Sequence, residues 1–298
     1  MFPYTPMTSS WMLVAGALFA LMGALAKLLA GQFSATELAM YRSLVGLVAI
    51  GAFLLWRRET ARTRFWKSHF WRGSTGTISL VASFYAMTEL PLALAMTLNY
   101  TSPIWLTVLS ALLLKERFNA RLIFSITLGF VGVAMLLRPT FASDQMFAGL
   151  IGLASGFFAA CAYVNVKKLG EAGEPAWRVV FYFSVVGTLG SALTQPLTGA
   201  FHSITVGNVW PLLGVGLLAT LAQLAMTRAY HSGNTVVVGA FAYSTVIFAA
   251  IFGVVFFNEQ LPWQAWLGML VIIISGMLAK WASERADNKM PALPAEED

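Results

Sequence analysis

Charged residues are scarce in this chain of 298 residues. Only 11% of them are Asp, Glu, Lys or Arg, whereas 58% are hydrophobic, and the mean hydropathy is +0.72. A soluble domain usually carries about 25% charged residues, so water cannot be the solvent for most of this surface. The composition therefore excludes a water-soluble protein and predicts an integral membrane protein without a separate soluble domain.

The sequence contains no cluster of the residues that catalysis or metal binding needs. Cys161 is the single cysteine, so the chain can form neither an internal disulfide nor a cysteine-based metal site. His69, His202 and His231 fall in separate predicted connections, and no phosphate-binding loop is present. These absences argue against a polytopic membrane enzyme, and we predict no catalytic residue, no metal and no cofactor. A receptor or a structural scaffold stays an alternative to a transporter.

Long apolar runs dominate what is present. Each is close to the length of about 20 residues that a helix needs to cross a bilayer. Because the runs are continuous rather than alternating, they predict helices and not barrel strands. We expect an all-α membrane protein with ten transmembrane helices, at residues 11–31, 35–56, 73–90, 91–114, 121–138, 147–167, 178–198, 207–227, 234–257 and 263–281.

The positive residues segregate to one side of this arrangement. With a cytoplasmic N-terminus, all of the 19 lysines and arginines except Lys27, Arg42 and Arg138 fall on the cytoplasmic side. The positive-inside rule therefore places both termini in the cytoplasm. The net charge of +6 reflects this topology, and we expect no nucleic-acid partner.

The chain matches itself when it is displaced by about 140 residues. Tyr41, Ser43, Gly46 and Glu116 fall on Tyr182, Ser184, Gly187 and Glu259. Each half holds five spans, an odd number, so the second half enters the membrane from the opposite side. We predict a first repeat over residues 1–140, an inverted repeat over 141–283 and a disordered cytoplasmic tail over 284–298. Two inverted five-helix repeats are a recurring design of secondary transporters.

Several residues of the first half form a recognisable pattern. A helix-centre proline, a Glu-Arg pair and a glycine-spaced helix follow one another as Pro103, Glu116-Arg117 and Gly129/Gly132, after Arg42 and Tyr85-Ala86. The second half keeps Glu259 but has Val246 and Gln260 in place of the proline and the arginine. The chain resembles the EamA-type drug/metabolite transporter superfamily, and within it the YddG-type branch.

This resemblance implies a multi-pass protein of the bacterial inner membrane that exports aromatic or other neutral amino acids. It implies alternating access through a central cavity, in a monomer or a weak homodimer within the lipid bilayer. The alternative is an exporter of drugs, sugar derivatives or nucleotide-linked metabolites that works by substrate/proton antiport.

Polar side chains are unevenly distributed over the predicted helices. Within a membrane they must pair with one another or face an aqueous cavity. Helices 3, 4, 6, 8 and 9 carry most of them and helices 5 and 10 almost none, so we expect the former, with helix 1, to surround a cavity. The candidate substrate-binding residues are Tyr85, Asn99, Ser102, Pro103, Tyr163, Asn165, Gln223, Tyr243, Ser244 and Thr245.

Alternatives stay open for these candidates. Each tyrosine either stacks on an aromatic substrate or fills space between helices, and each Ser or Thr has the default of bonding the preceding helical turn. Pro103 should kink helix 4 and free the carbonyl of Asn99. That carbonyl then either binds an ammonium group or only accompanies a packing kink.

Four charged residues are candidates for gating or structural roles: Glu37, Arg42, Glu116 and Glu259. We expect Arg42 to pair with Glu37 near the outer end of helix 2. The other two acids should bond the start of the following helix or latch a gate. Lys27 and Lys167 lie near helix ends, where they can extend toward the interface.

Groups that commonly carry protons are missing from the predicted membrane centre. No carboxylate or histidine lies deep in a predicted helix, which predicts facilitative transport without obligatory proton coupling. Because Lys27 and Lys167 are poorly placed to serve a cavity, the sequence favours a neutral or zwitterionic cargo over a phosphorylated one.

Overall fold

The computed structural model describes residues 10–102, 104–105, 108–109, 120–141, 145–232 and 241–287, and over these ranges it contains ten α-helices and no β-strand. Pro103 and Glu116 lie outside the described residues. The helices are α1 Trp11–Leu28, α2 Ala35–Arg57, α3 Trp66–Glu89, α4 Leu92–Asn99, α5 Ala120–Phe141, α6 Met146–Glu171, α7 Ala176–Thr198, α8 Val206–Ser232, α9 Ser244–Phe257 and α10 Trp263–Asp287.

Five of these helices are long and apolar enough to cross a membrane. They are α1 and α2, α6, and the stretches Ala176–Leu197 of α7 and Val206–Ala229 of α8. Shorter apolar helices occur at Ser244–Phe257 and Trp263–Ser275. Large apolar side chains on the outer surface are strongly exposed, such as Leu55 at 83% and Leu197 at 86%. Such a surface suits lipid as its solvent.

Three helix boundaries differ from the expected ones in ways that matter. Helix α3 begins at Trp66 rather than at residue 73, so the polar residues up to Arg72 belong to the helix. Helix α4 ends at Asn99, and two turn residues precede the next helical residue, Ser102. Helix α10 continues to Asp287, so residues 284–287 of the predicted tail are helical.

The helices pack in pairs that are related between the two halves of the chain. The main contacts join α3 with α6, α1 with α8, α2 with α7, α5 with α10, α1 with α9, α3 with α7, α2 with α8, and α4 with α6. Replacing every helix by the one five places away returns this same set of pairs. The α2–α7 and α5–α10 pairs each return onto themselves.

Helices α2 and α7 cross through small residues. A Cβ atom on Gly187 would lie 3.1 Å from the Cβ of Ser43, and one on Gly46 would lie 3.0 Å from the Oγ of Ser184. Two reciprocal Ser-to-Gly contacts therefore form the crossing. The close approach explains why these positions hold residues with small side chains.

The two crossing helices run in opposite directions. The start of α2 meets the end of α7, where Ser34 Oγ donates a 2.9 Å hydrogen bond to Gln195 Oε1. The end of α2 meets the start of α7, where Tyr182 OH donates to the carbonyl of Ala61 at 2.9 Å. The pair is therefore antiparallel.

Helices α5 and α10 pack mainly on each other. A Cβ on Gly132 would lie 3.0 Å from the backbone nitrogen of Ile272, and Ser275 Oγ donates to the carbonyl of Ser125 at 2.7 Å. The scarcity of polar side chains in the middle of both helices agrees with this peripheral position.

Candidate functional site

A cavity of about 100 Å³ lies between the helices of both halves. Helices α1, α2, α3, α4, α6, α7 and α8 contribute to its wall. Its lining residues are Phe19, Met22, Arg42, Arg72, Gly76, Ser79, Leu80, Ser83, Met87, Met96, Asn99, Tyr100, Ala159, Ala162, Tyr163, Phe183 and Gln223. Pockets for drug-sized ligands usually exceed about 300 Å³, so a larger cargo requires the helices to separate.

One face of α3 supplies much of the polar wall. Arg72, Gly76, Ser79 and Ser83 line the cavity, and their spacing of three or four residues places them on the same side of a helix. Because α3 begins at Trp66, Arg72 lies within the helix rather than in a cytoplasmic loop.

Asn99 closes a polar network between α3, α4 and α6. Its Nδ2 donates to Ser155 Oγ at 3.0 Å and to Ser79 Oγ at 3.4 Å. Ser79 Oγ in turn donates to the carbonyl of Ser155 at 2.8 Å. The network holds the end of α4 and orients the carboxamide of Asn99 at the cavity wall.

Two buried arginines face this cavity. The exposed fraction is 6% for Arg42 and 3% for Arg72. Both guanidinium groups lie over the ring of Phe183, with their central carbons 5.1 Å and 3.7 Å from its centroid. This arrangement is a cation–π contact, which stabilises the charges but neutralises neither.

Neither guanidinium forms an ion pair with an acidic side chain of the described part of the chain. The Nε atoms of Arg42 and Arg72, and Nη1 of Arg72, are buried without a hydrogen-bond partner. The predicted pairing of Arg42 with Glu37 is wrong. Five positions along a helix of 3.6 residues per turn turn the two side chains about 140° apart.

Glu37 instead holds the start of α2 and the loop between α7 and α8. It forms a capping box with Ser34, in which the Ser34 N–H donates to Glu37 Oε2 at 2.8 Å. The backbone N–H of His202 donates to its Oε1 at 2.7 Å, and the His202 ring Nδ1 lies 2.7 Å from its Oε2. Its role in the structure is to fix helix ends.

The predicted substrate-binding residues separate into two groups. Asn99, Tyr163 and Gln223 line the cavity. Pro103 lies outside the described residues, and the other candidates do not line the cavity. Ser102 is buried, Asn165 Nδ2 donates to the carbonyl of Cys161 at 3.1 Å, and Tyr85 packs edge-on against Phe147 with ring centroids 6.0 Å apart. Tyr243, Ser244 and Thr245 form the start of α9.

The start of α9 packs on α1 and α4 rather than on the cavity. A Cβ on Gly16 would lie 2.9 Å from Thr245 Oγ1, and that hydroxyl donates to the Tyr100 hydroxyl oxygen at 2.9 Å. The cavity wall uses α2 and α7 in its place, which the distribution of polar residues did not predict.

One end of the helix bundle is closed by charged residues from both halves. Lys27 Nζ lies 2.6 Å from Glu259 Oε1 and donates to the carbonyl of Leu90 at 2.5 Å. The N–H of Leu92 donates to both carboxylate oxygens of Glu259 at 2.9 Å. Glu259 therefore bonds the start of α4, where the helix dipole favours an acid, and not the start of α10. Lys27 is paired and does not extend to the interface.

A second charged cluster lies at the opposite end, before α7. Thr63 Oγ1 donates to Glu174 Oε1 at 2.9 Å, Arg178 Nη1 donates to Glu174 Oε2 at 3.2 Å, and His69 Nε2 lies 3.3 Å from that oxygen. Burial raises the pKa of Glu174, but these hydrogen bonds and the Arg178 charge outweigh burial, so the pKa is lowered from its ordinary value. His69 is 1% exposed, which the sequence did not predict.

Arg72 and Phe183 are the functional candidates that the sequence analysis missed. A signal for Arg72 was present, because it lies seven residues before Ser79 and seven residues complete about two helical turns. Extending the polar face of α3 by that step reaches Arg72. No comparable signal identified Phe183, because the sequence does not distinguish it from the other apolar residues of the same helix.

Comparison with known proteins assigns a family to this arrangement. The model of the EamA-like transporter family matches the chain twice, over residues 7–138 and 146–280. The chain belongs to the EamA-like transporter family. The predicted EamA membership is confirmed, and the chain is a multi-pass membrane transporter of small metabolites.

Relatives of this EamA protein carry several names. The chain is 30% identical to a pseudopaline exporter, CntI, of Pseudomonas aeruginosa, over 86% of this chain and 90% of that one. It is 28% identical to a riboflavin transporter of Vibrio cholerae, over 93% and 94%. An uncharacterized transporter of Helicobacter pylori is 27% identical over 90% and 93%. A solved crystal structure with 18% identity matches with a TM-score of 0.68, covering 94% of this chain and all of its own.

Proposed function

We propose that this EamA protein is a secondary exporter in the bacterial inner membrane, carrying neutral and aromatic amino acids by alternating access. The observation that carries the proposal is the cavity beside the α2–α7 crossing, which is walled by helices of both halves and holds Arg42, Arg72, Asn99 and Gln223 among mostly apolar side chains. A site shared by two halves can be opened toward either side when one half moves against the other.

The contacts of α2 and α7 support an inverted repeat. Ser43 touches Gly187 and Gly46 touches Ser184, and these residues are counterparts in the sequence repeat. Reciprocal contacts of this kind arise about a twofold axis. Because the two helices are antiparallel, that axis is perpendicular to them and lies in the membrane plane. Both termini are then cytoplasmic, as the distribution of lysine and arginine predicts.

Lys27 and Glu259 fit the role of an outer gate. They join α1 to α9, from different halves, and they also hold the linker between α3 and α4. The charge distribution predicts that these helix ends face outward. The pair therefore closes the cavity from outside in this conformation, and separating the helices requires breaking it. Glu116 is the counterpart of Glu259 in the repeat.

The cavity wall supports the cargo class in two ways. Tyr163, Phe183 and Tyr100 contribute aromatic surface that suits an aromatic side chain. Asn99 and Gln223 contribute carboxamides for polar groups. The relatives named for pseudopaline and riboflavin show that cargo differs within the family, and a drug, sugar-derivative or nucleotide-linked cargo is the alternative.

The chemistry of the lining favours facilitative transport. No Asp, Glu or His lines the cavity among the described residues, so the wall offers no ordinary proton carrier. We expect uptake into proteoliposomes to be unchanged when the pH gradient is collapsed. Strict dependence on that gradient would favour the alternative of substrate/proton antiport.

Counterflow in proteoliposomes tests the proposal. Vesicles are loaded with one unlabelled compound, and entry of the same labelled compound is measured for a panel of amino acids, sugars and cationic drugs. We expect counterflow for phenylalanine, tyrosine and neutral amino acids, and loss of counterflow in Asn99→Leu. Counterflow of sugars or drugs without amino acids would reject the proposed cargo.

A further inference from the structure

Two positive charges in the cavity wall lack a counter-charge within the described part of the protein. Arg42 and Arg72 are both more than nine-tenths buried, and neither has an acidic partner there. A buried charge is strongly disfavoured unless it is paired. The ring of Phe183 compensates only in part, because its quadrupole is weaker than a full negative charge.

The two guanidinium groups share one aromatic neighbour, Phe183. Both groups contact its ring. Gly76 leaves room for the Arg72 group, because a Cβ at that position would lie 2.5 Å from Nη1 of Arg72 and 3.0 Å from Cε2 of Phe183. Like charges in one cavity repel each other. An anionic group in the cavity that contacts both side chains offsets the repulsion and can accept hydrogen bonds from them.

The remaining polar side chains of the cavity wall offer no partner for a cation. Asn99, Gln223 and Ser83 are neutral, and the described lining contains no carboxylate to pair with an amine. A planar guanidinium with several fixed donors matches the oxygens of carboxylates and phosphates. The wall therefore offers strong recognition of an anionic group and weak recognition of a cation.

We propose that Arg42 and Arg72 form the binding site for a carboxylate or phosphate group of the cargo. The inference rests on the proposed transport function and names the chemical group that the site selects. An amino acid satisfies it through its α-carboxylate. The sequence favoured a cargo without phosphate only because Lys27 and Lys167 were the basic candidates considered, and Arg72 changes that argument.

A matched series of phenyl compounds tests the inference by binding to the detergent-solubilised protein. The series is L-phenylalanine, 3-phenylpropionate, phenyl phosphate and phenethylamine, and the readout is the shift in thermal unfolding with concentration. We expect the three compounds with an anionic group to stabilise the protein and phenethylamine to have no effect. The stronger of phenyl phosphate and 3-phenylpropionate identifies the preferred anion. Equal stabilisation by phenethylamine, or no stabilisation by any anion, overturns the inference.

Substitution of the arginines gives a second readout. Because hydrogen bonds to charged groups are strong, Arg42→Gln and Arg72→Gln should each weaken anion binding by about tenfold to a hundredfold. Arg228 is the matched control, since it is exposed, stacks on Trp11 at 4.7 Å and does not line this cavity. Arg228→Gln should bind as the unaltered protein does, and equal losses in all three variants contradict a specific site.

The Arg-to-Lys versions separate charge from shape. Arg72→Lys keeps the positive charge but loses the planar pair of donors, so it should retain part of the affinity that Arg72→Gln loses. If a Gln variant does not fold, the comparison of phenyl compounds on the unaltered protein still decides the matter.

The two proposals fail in different ways. Anion-selective binding without counterflow of any compound would reject the transport proposal and keep the arginine site. Counterflow of amines as readily as of carboxylates would keep transport and reject the arginine site.

Discussion

Breaking the ion pair between Lys27 and Glu259 should open the outer end of the cavity. The exposed fractions of the two side chains are 17% and 9%, and their charged atoms are 2.6 Å apart. Glu259→Gln removes the charge but keeps an oxygen that can accept from the N–H of Leu92. We estimate the loss at about 2 kcal/mol, within the range for hydrogen bonds to charged groups. Such a loss shifts the closed-to-open equilibrium by about 30-fold.

A cysteine reporter measures this shift. The single native cysteine, Cys161, is replaced by alanine, and Met96, which is 2% exposed and lines the cavity one turn below the ion pair, becomes cysteine. The rate at which a membrane-impermeant maleimide labels this cysteine from outside reports the open fraction. We expect Glu259→Gln to raise that rate by about 30-fold, because labelling follows the population of the open state.

Two further variants make the measurement decisive. Glu89 is an exposed acid near the same helix ends, so Glu89→Gln should leave the labelling rate unchanged. Lys27→Gln removes the same ion pair from the other side and should also raise the rate. An unchanged rate in Glu259→Gln, or one raised equally in Glu89→Gln, would refute the assignment of this pair as the outer gate.

Three other predictions concern stability. Gly156→Ala should destabilise the protein by about 1–3 kcal/mol, because its Cβ would lie 2.7 Å from the carbonyl oxygen of Leu98. Gly170→Ala on the same helix is the control, since its Cβ would meet open space, and thermal unfolding of both variants checks the prediction. The pKa of Glu174 is lowered in the folded protein, so its stabilisation is present at neutral pH and is lost as the pH falls below the ordinary value of about 4.3. Glu174→Gln should unfold more easily at pH 7 and lose less stability on acidification. Ser34→Ala removes the cap of α2 and should cost about 0.5–2 kcal/mol in denaturant unfolding.

The order and ends of most helices were predictable because lipid demands long apolar segments. Helices α2 and α7 begin and end within a few residues of the expected positions. Helix α3 was predicted too short, because an apolar window stops at charged residues while the helix continues through them. The seven residues from Trp66 to Arg72 form its first two turns, in which charged and aromatic side chains alternate with Ser68 and His69.

The site was predictable only in part, because its partners come from distant segments. Asn99 and Gln223 could be chosen since a carboxamide is difficult to satisfy locally in a membrane. The placement of Arg42 beside Phe183, and of Lys27 beside Glu259, depends on how helices of the two halves pack. A single sequence does not contain that information, and proximity along the chain suggested Glu37 as the partner of Arg42 instead.

The reciprocal crossing of α2 and α7 has a consequence for the balance between conformations. Ser43 meets Gly187 and its counterpart Ser184 meets Gly46, so in the proposed alternating access a rocking motion about this crossing loads one contact while it relieves the counterpart. The α2–α7 crossing then contributes about equally to the energies of the two conformations. The preference between the two conformations is then set at the helix ends, where the ion pair of Glu259 favours one of them. Substitutions at the crossing should change the rates of opening toward both sides by similar amounts.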